Sequence, residues 1–249
     1  MNLKLESIMD KGHPLPWPEL KLPPYTEVKL GGWHIFENTP PLLRGYFRGL
    51  QPMIHKNWVL KRDDELWMST TPMELESAIH HAANATGHTV IMGLGLGVLL
   101  YNVLQRDEVT KVTVVELDPK VFDLLDRSAG IGLWPGHEKL EMVIADAFDY
   151  VPTEPVDVLL VDIWLNLGDM QLRPDAQKLF NKVNPTNMGV WGIEADYISW
   201  MNEQGFEPGD ESSDTFTQYA IDIGVPLIER DNDEYARLAL EAARNMFLS

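Results

Sequence analysis

Apolar and polar positions change rhythm along this chain. From residue 88 onward, short apolar runs alternate with segments of helical period. "HTVIMG", "KVTVVEL", "LEMVIADAF" and "VDVLLVDIW" read as strands, the last apolar enough to be buried on both faces. "GVLLYNVLQ", "PKVFDLLDRS" and "RPDAQKLFNKV" read as helices. "MGVWGIE" is strand-like and "DYISWMNEQG" helical; "TQYAIDIGVPLI" predicts a terminal strand and "DEYARLALEAARNMFL" a final helix. Strands alternating with helices at this spacing predict an α/β fold. The sheet is expected to be doubly wound and mostly parallel, with helices on both faces.

Upstream the pattern differs. "HPLPWPELKLPPY" and "FENTPPLL" carry prolines that forbid long helices and interior strands. An irregular arm is expected, with short strands near "TEVKLGGWHIFE" and a hairpin in "WVLKRDDELWMS". "STTPMELESAIHHAANA" opens a helix. Thr71 is placed as N-cap and Pro72 at the first helical position, with Glu74 where a capping box needs it. The expected organisation is an N-terminal β/irregular appendage over residues 1–69 and an α/β domain over residues 70–249.

Composition narrows the function classes. The chain has 249 residues, 45% of them hydrophobic, which is a globular balance. It has no cysteine, so disulfides, thiolate metal sites and a cysteine nucleophile are excluded. A net charge of −18 repels phosphate backbones, so nucleic acid is not the expected partner. No run approaches the ~18 apolar residues that span a membrane, and the N-terminus has no signal-like apolar core. The expectation is a cytoplasmic protein whose partner is a small molecule rather than a nucleic acid or a membrane. Oligomeric state is left open, a homodimer included.

The candidate chemistry sits just after the strands, where open α/β sheets bind ligands. Gly93, Gly95 and Gly97 follow the first strand and open a helix. Glycine there permits a tight turn and close approach to bare backbone, and helix-start N–H groups favour an anionic group. Glu116 ends the second strand 19 residues after Gly97, placed to accept hydrogen bonds from both hydroxyls of a ribose. Asp118 is free to cap the helix that starts at Pro119. Asp146 ends the third strand, placed to pair with an adenine amino group, and Asp162 ends the fourth, next to where a transferred group would lie.

The series "VIMGLGLG", "VTVVELDP", "VIADAF" and "VLLVDIW" resembles the class I S-adenosylmethionine-dependent methyltransferases over about residues 70–205. Val98 stands where a dinucleotide-binding loop would carry its third glycine, which argues against NAD. The upstream hairpin and acidic helix make the layout similar to the spermidine synthase group. The resemblance implies a seven-stranded Rossmann-like sheet and S-adenosylmethionine as cofactor. It implies cofactor contacts from Gly93, Leu94, Gly95, Gly97, Glu116, Leu117, Asp146, Ala147 and Asp162. Asp162 is the candidate catalytic base, and Trp164 and Asn166 are the candidate substrate contacts. No metal site is expected: His80, His81 and His88 lack ligand spacing and are expected to face solvent.

Two departures bear on activity. Spermidine synthases carry an acid within the glycine loop and another three residues after the fourth-strand acid. Here Leu94, Leu96 and Val98 fill the loop and Leu165 the later position. The acid that methyltransferases carry two residues before the first glycine is Ile91 here. Glu74 and Glu76 are candidate substitutes, although the capping box is the preferred reading of Glu74. The expected function is methyl transfer to a small molecule such as an amine. The alternatives are a spermidine synthase-like aminopropyltransferase and a non-catalytic nucleoside-binding or partner subunit. Glu194 is expected to cap a helix, and Tyr46, Arg48, Trp33 and Trp67 are expected to pack the arm rather than reach the pocket mouth.

Overall fold

A computed structural model describes residues 14–52 and 55–247. The reading of the first residues as free of a signal-like segment lies, up to residue 13, outside the described residues.

The arm folds into antiparallel strands. Strands β1 (Val28–Leu30), β2 (Trp33–Glu37), β5 (Trp58–Arg62) and β6 (Glu65–Ser69) form one sheet in the order β1-β2-β5-β6. Strands β3 (Leu42–Arg44) and β4 (Leu50–Pro52) pair separately. The β5–β6 hairpin turns at Asp63, whose φ of 52° is left-handed, as the "KRDDE" turn predicts. Helix α1 (Pro72–Asn84) follows, with Thr71 at its N-cap and Pro72 opening its first turn.

The central sheet is built from β7 (Gly87–Met92), β8 (Val109–Glu116), β9 (Leu140–Ile144), β10 (Val158–Val161) and β11 (Asn187–Val190). All pairings are parallel, in the order β11-β10-β7-β8-β9. Helices α2 (Val98–Leu104), α3 (Pro119–Ala129) and α4 (Leu172–Val183) lie between these strands, and α5 (Ile193–Gln204), α6 (Ser213–Ile223) and α7 (Asp233–Phe247) follow the last. Alternate residues of the strands divide between two apolar clusters. Val90, Met92, Leu159, Val161 and Met188 join α4 to α7, whereas Ile91, Val112, Val114 and Leu160 join α2 and α3.

Strand count departs from expectation. Among the described residues the parallel sheet has five strands, not seven. The segment expected as a terminal strand is largely helix α6, and only Leu227 forms a bridge, to Met188. The reason lies one residue upstream of the stretch that looked strand-like. Phe216, Tyr219, Ala220 and Ile223 recur at helical spacing and are all buried. A Ser212–Thr215 capping box starts this helix and Gly224, at φ 67°, ends it.

Register sets the site. Val161 pairs with Met92, Met92 with Val115, and Glu116 with Ile144, so the carboxyl ends of four strands finish at one level. The ladder runs one step further: Asp162 N–H donates to Met92 at 2.9 Å, Gly93 N–H to Val115 at 2.9 Å and Ala145 N–H to Glu116 at 3.1 Å. Gly93, Leu117, Ala145 and Asp162 therefore emerge together, beside the centre of the sheet where strand order reverses.

Candidate active site

A cavity of about 300 Å³ opens at these strand ends, within the size range of small-ligand sites. Its floor is the β7–α2 turn. Gly93 has φ 92°, and a Cβ there would lie 2.0 Å from the carbonyl oxygen of Asp162. Only glycine lets the ends of β7 and β10 close to this distance. Gly95, at φ 50°, lies under Met68, whose sulfur would be 2.5 Å from an added Cβ and accepts the Leu96 N–H at 3.2 Å. The hairpin thus lies against the turn. Gly97 lies apart from the cavity, and a Cβ there would strike Leu125 and Trp134. It serves helix packing.

The turn is less receptive to an anion than the glycine pattern suggests. Leu94 N–H is taken by Glu116 Oε2 at 3.0 Å, Leu96 N–H by Met68, Gly93 N–H by Val115 and Gly97 N–H by Leu94. The walls are acidic instead. Glu74, Glu116, Asp118, Asp146 and Asp162 all line the cavity, and Arg62 is the one base among its described lining residues. Its guanidinium lies 5.5 Å over the ring of Trp33.

Glu116 is 9% exposed. Its two oxygens accept from Leu94 at 3.0 Å and Asp118 at 2.9 Å, which fixes the carboxylate plane and leaves further lone pairs for hydroxyl donors. Burial raises its pKa, and the N–H groups of Asp118, Leu94 and Leu117 hold that rise back. Asp118 caps α3 by accepting from Lys120 and also takes the Trp33 indole N–H at 2.9 Å. That bond ties β2 of the arm to the acidic end of β8. Asp146 is exposed at the rim, accepting from Phe148 N–H at 2.8 Å, with Leu117 and Ala147 beside it in the wall.

Asp162 and Glu74 form the inner end. Burial raises the Asp162 carboxyl to about 7. Glu74 is raised to about 8, first by burial and then by the nearby charge of Asp162, with Ser69 N–H holding it back. Glu74 is thus not the partner of a capping box, and Thr71 makes no side-chain cap bond. Proline at the first helical position starts the helix without it, and the Glu74 carboxyl faces the cavity. Glu76 points elsewhere. It is buried under the arm and accepts from Phe47 N–H, Arg48 N–H, Arg48 Nε and the Gln51 amide.

Other placements differ from expectation. Trp33 and Trp67 line the cavity, and so do Met68, Phe148 and Trp191. Trp164 lines it, whereas Asn166 is exposed outside it. Tyr46 and Arg48 lie away from it. Glu194 is not a surface cap: it is 1% exposed and accepts from Tyr46 Oη at 2.6 Å and Tyr235 Oη at 2.9 Å. His80, His81 and His88 are 1%, 2% and 7% exposed rather than solvent-facing. The first two lie on the face of α1 that packs into the core, and His88 bridges Pro155 O and Thr113 Oγ1. Among the described residues no group of three or more His, Asp or Glu could hold a metal ion, and no helix is long and apolar enough to cross a membrane.

No family model matches the chain, and no curated protein matches it in sequence. Solved structures give partial likenesses. Spermidine synthase from Thermotoga maritima is similar at 17% identity and a TM-score of 0.39, over 66% of this chain and 55% of that one. A spermidine synthase in complex with the transition-state analogue AdoDATO is similar at 17% identity and a TM-score of 0.38, over 66% and 54%. The glycopeptide N-methyltransferase MtfA, complexed with S-adenosylmethionine, is similar at 18% identity and a TM-score of 0.33, over 43% and 42%. The chain spans about half the length of the spermidine synthases it matches.

Proposed function

We propose that this chain binds S-adenosylmethionine or a close derivative and transfers a group from its sulfonium to a small acceptor. The observation that carries the reading is Glu116. It is a buried carboxylate at the end of β8, oriented by two backbone N–H groups and open to the cavity beside a turn that only glycine can make. Such a group is suited to the two hydroxyls of a ribose. The donor set fits the rest of the cofactor unevenly. Asp146 and the apolar rim of Leu117 and Ala147 suit an adenine edge, and the acidic walls suit a sulfonium. The methionine carboxylate finds fewer partners, because the N–H groups of Gly93, Leu94, Leu96 and Gly97 are engaged.

When bound, the cofactor supplies an electrophilic carbon on a positively charged sulfur. The residues of this chain supply alignment and a dry setting, which dominate the catalysis of such an in-line displacement. Asp162, raised to about 7, is part ionised at neutral pH and can take the proton of an acceptor amine, whose freed lone pair then attacks the carbon while the carbon–sulfur bond breaks. Trp164 walls the same end of the cavity and donates its indole N–H towards Asp175 at 3.4 Å. Calorimetry with S-adenosylmethionine and S-adenosylhomocysteine tests the reading. Micromolar binding is expected for at least one, and a folded sample that binds neither overturns it. Once an acceptor is found, Asp162→Asn is expected to lower kcat by about 10²–10⁴.

One observation favours transfer of an aminopropyl group instead. The inner end of the cavity offers two carboxyls and no base other than Arg62 among the described lining residues, which suits a donor tail without a carboxylate. Tighter binding of decarboxylated S-adenosylmethionine and release of methylthioadenosine would select this reading over methyl transfer.

A further inference from the structure

A second cavity, of about 530 Å³, lies between the arm and the last helix and shares no described lining residue with the first. The chain carries a net charge of −18, yet three of its nine arginines meet here. Arg44 ends β3, Arg48 lies in the turn to β4, and Arg244 comes from the last turn of α7. Pro14, Pro16, Phe47 and Leu238 supply an apolar wall.

The turn that carries the first two arginines is held from both sides. Asn245 is 5% exposed and commits its whole side-chain amide to this turn. Its Oδ1 accepts from Arg44 Nη1 at 3.1 Å, and its Nδ2 donates to the carbonyls of Tyr46 at 2.9 Å and Arg48 at 3.3 Å. On the other side, Glu76 accepts from Phe47 N–H, Arg48 N–H and Arg48 Nε. A guanidinium has five N–H donors, and the bonds to Asn245 and Glu76 use one from each arginine.

The charges do not cancel locally. Arg48 pairs with Glu76 at 2.8 Å and Arg244 with Glu241 at 2.7 Å. Among the described residues Arg44 meets no carboxylate, only the neutral amide of Asn245. The remaining acid of the cavity is Glu234, eleven residues before Asn245 on α7 (245 − 234), about 16 Å away along a helix axis. One end of the cavity therefore holds a surplus positive charge on side chains already in place.

A planar guanidinium matches the paired oxygens of a carboxylate or phosphate, and such charge-assisted bonds are the strong ones. The apolar wall beside the arginines suits the body of an organic molecule rather than a bare ion. We propose that this cavity is a second ligand site that takes a small organic oxyanion, with Arg44 and Arg48 on its carboxylate or phosphate group and Phe47 against its apolar part. The proposal does not depend on the nucleoside reading of the strand-end cavity.

Calorimetry on the full chain tests it with three probes of one shape: 1-naphthyl phosphate, 1-naphthoate and the neutral 1-naphthol. The expected result is binding of at least one anion at least about tenfold tighter than naphthol, weakened by added salt. The tighter of the two anions names the class. Arg44→Gln keeps a donor for Asn245 and is expected to weaken the anion at least about tenfold while leaving naphthol unchanged. Arg62→Gln removes the one base among the described lining residues of the strand-end cavity and is expected to leave anion affinity within about twofold. Equal binding of all three probes, or no binding, overturns the proposal. So does a loss of affinity in Arg62→Gln that a natively melting Arg44→Gln does not share, because the anion then lies in the strand-end cavity. Amide shifts in the wild-type protein keep the test open should Arg44→Gln fail to fold. The anion is expected to move the signals of Phe47 and the Asn245 side chain, and shifts confined to Gly93 and Gly95 would overturn the assignment.

Discussion

At the residue scale, Glu116 and Glu74 show how one side chain type takes opposite roles from its surroundings. Glu116 is buried yet meets three backbone N–H groups that resist the rise of its pKa. Glu74 meets one, from Ser69, and a neighbouring acid, and its pKa rises to about 8. The first is a fixed acceptor and the second a proton carrier. Glu116→Gln keeps the size but replaces one acceptor oxygen with an NH₂ that opposes the Leu94 or Asp118 N–H. A charge-assisted hydrogen bond contributes about 1.5–3 kcal/mol, so nucleoside affinity is expected to fall roughly 10- to 100-fold. A titration with methylthioadenosine measures this, and unchanged affinity would remove Glu116 from the site.

At the scale of elements, the central strands and most helices were legible because each buries a face at a clear period. "VDVLLVDIW" yields β10, whose four residues are all buried. Asp118 and Pro119 start α3 as their types require. One element and one residue depart from their patterns for physical reasons. Helix α6 presents a strand-like stretch only when Phe216 is left out of its pattern. In α1, Glu74 has the spacing of a capping residue, but it lines the cavity, in keeping with the alternative reading of this position. Trp33, Trp67 and Met68 reach the cavity through pairing in the arm, which apolar patterning does not disclose.

The same scale separates two glycines. Gly93→Ala would drive a Cβ to 2.0 Å from a backbone oxygen and force β7 and β10 apart. Gly168 has φ 74° with nothing within 4 Å, so Gly168→Ala meets backbone strain alone. Left-handed strain costs of order 1–2 kcal/mol. Urea unfolding is expected to show about that loss for Gly168→Ala and a clearly larger one for Gly93→Ala, with ligand binding lost only in the latter. Equal losses would mean that the close approach of Gly93 and Asp162 is not a constraint on the fold.

At the scale of the whole molecule, the buried titratable groups set how stability varies with pH. His80 and His81 are buried neutral, with His81 lowered to about 3 and His80 lowered as well, first by burial and then by His81. The unfolded chain takes up protons at these sites below about pH 6.5, so they favour the folded state less and less as pH falls. Glu74 and Asp162 act in the other direction. Their folded pKa values, about 8 and about 7, exceed the unfolded ones, so the folded state binds more protons between about pH 4 and 8. Their contribution is complete below the unfolded pKa and is lost as pH rises through the folded values. The two pairs oppose each other below pH 6.5, and above it only the carboxyls operate. Stability of the free protein is therefore expected to fall from pH 6.5 to 8, at a slope approaching about 1.4 kcal/mol per pH unit for each proton retained. Glu74→Gln removes one such proton, so its urea-derived stability should be flatter across this range and exceed that of wild type at pH 8. A wild-type slope that the substitution leaves unchanged would show that Glu74 is ionised in the folded protein at neutral pH.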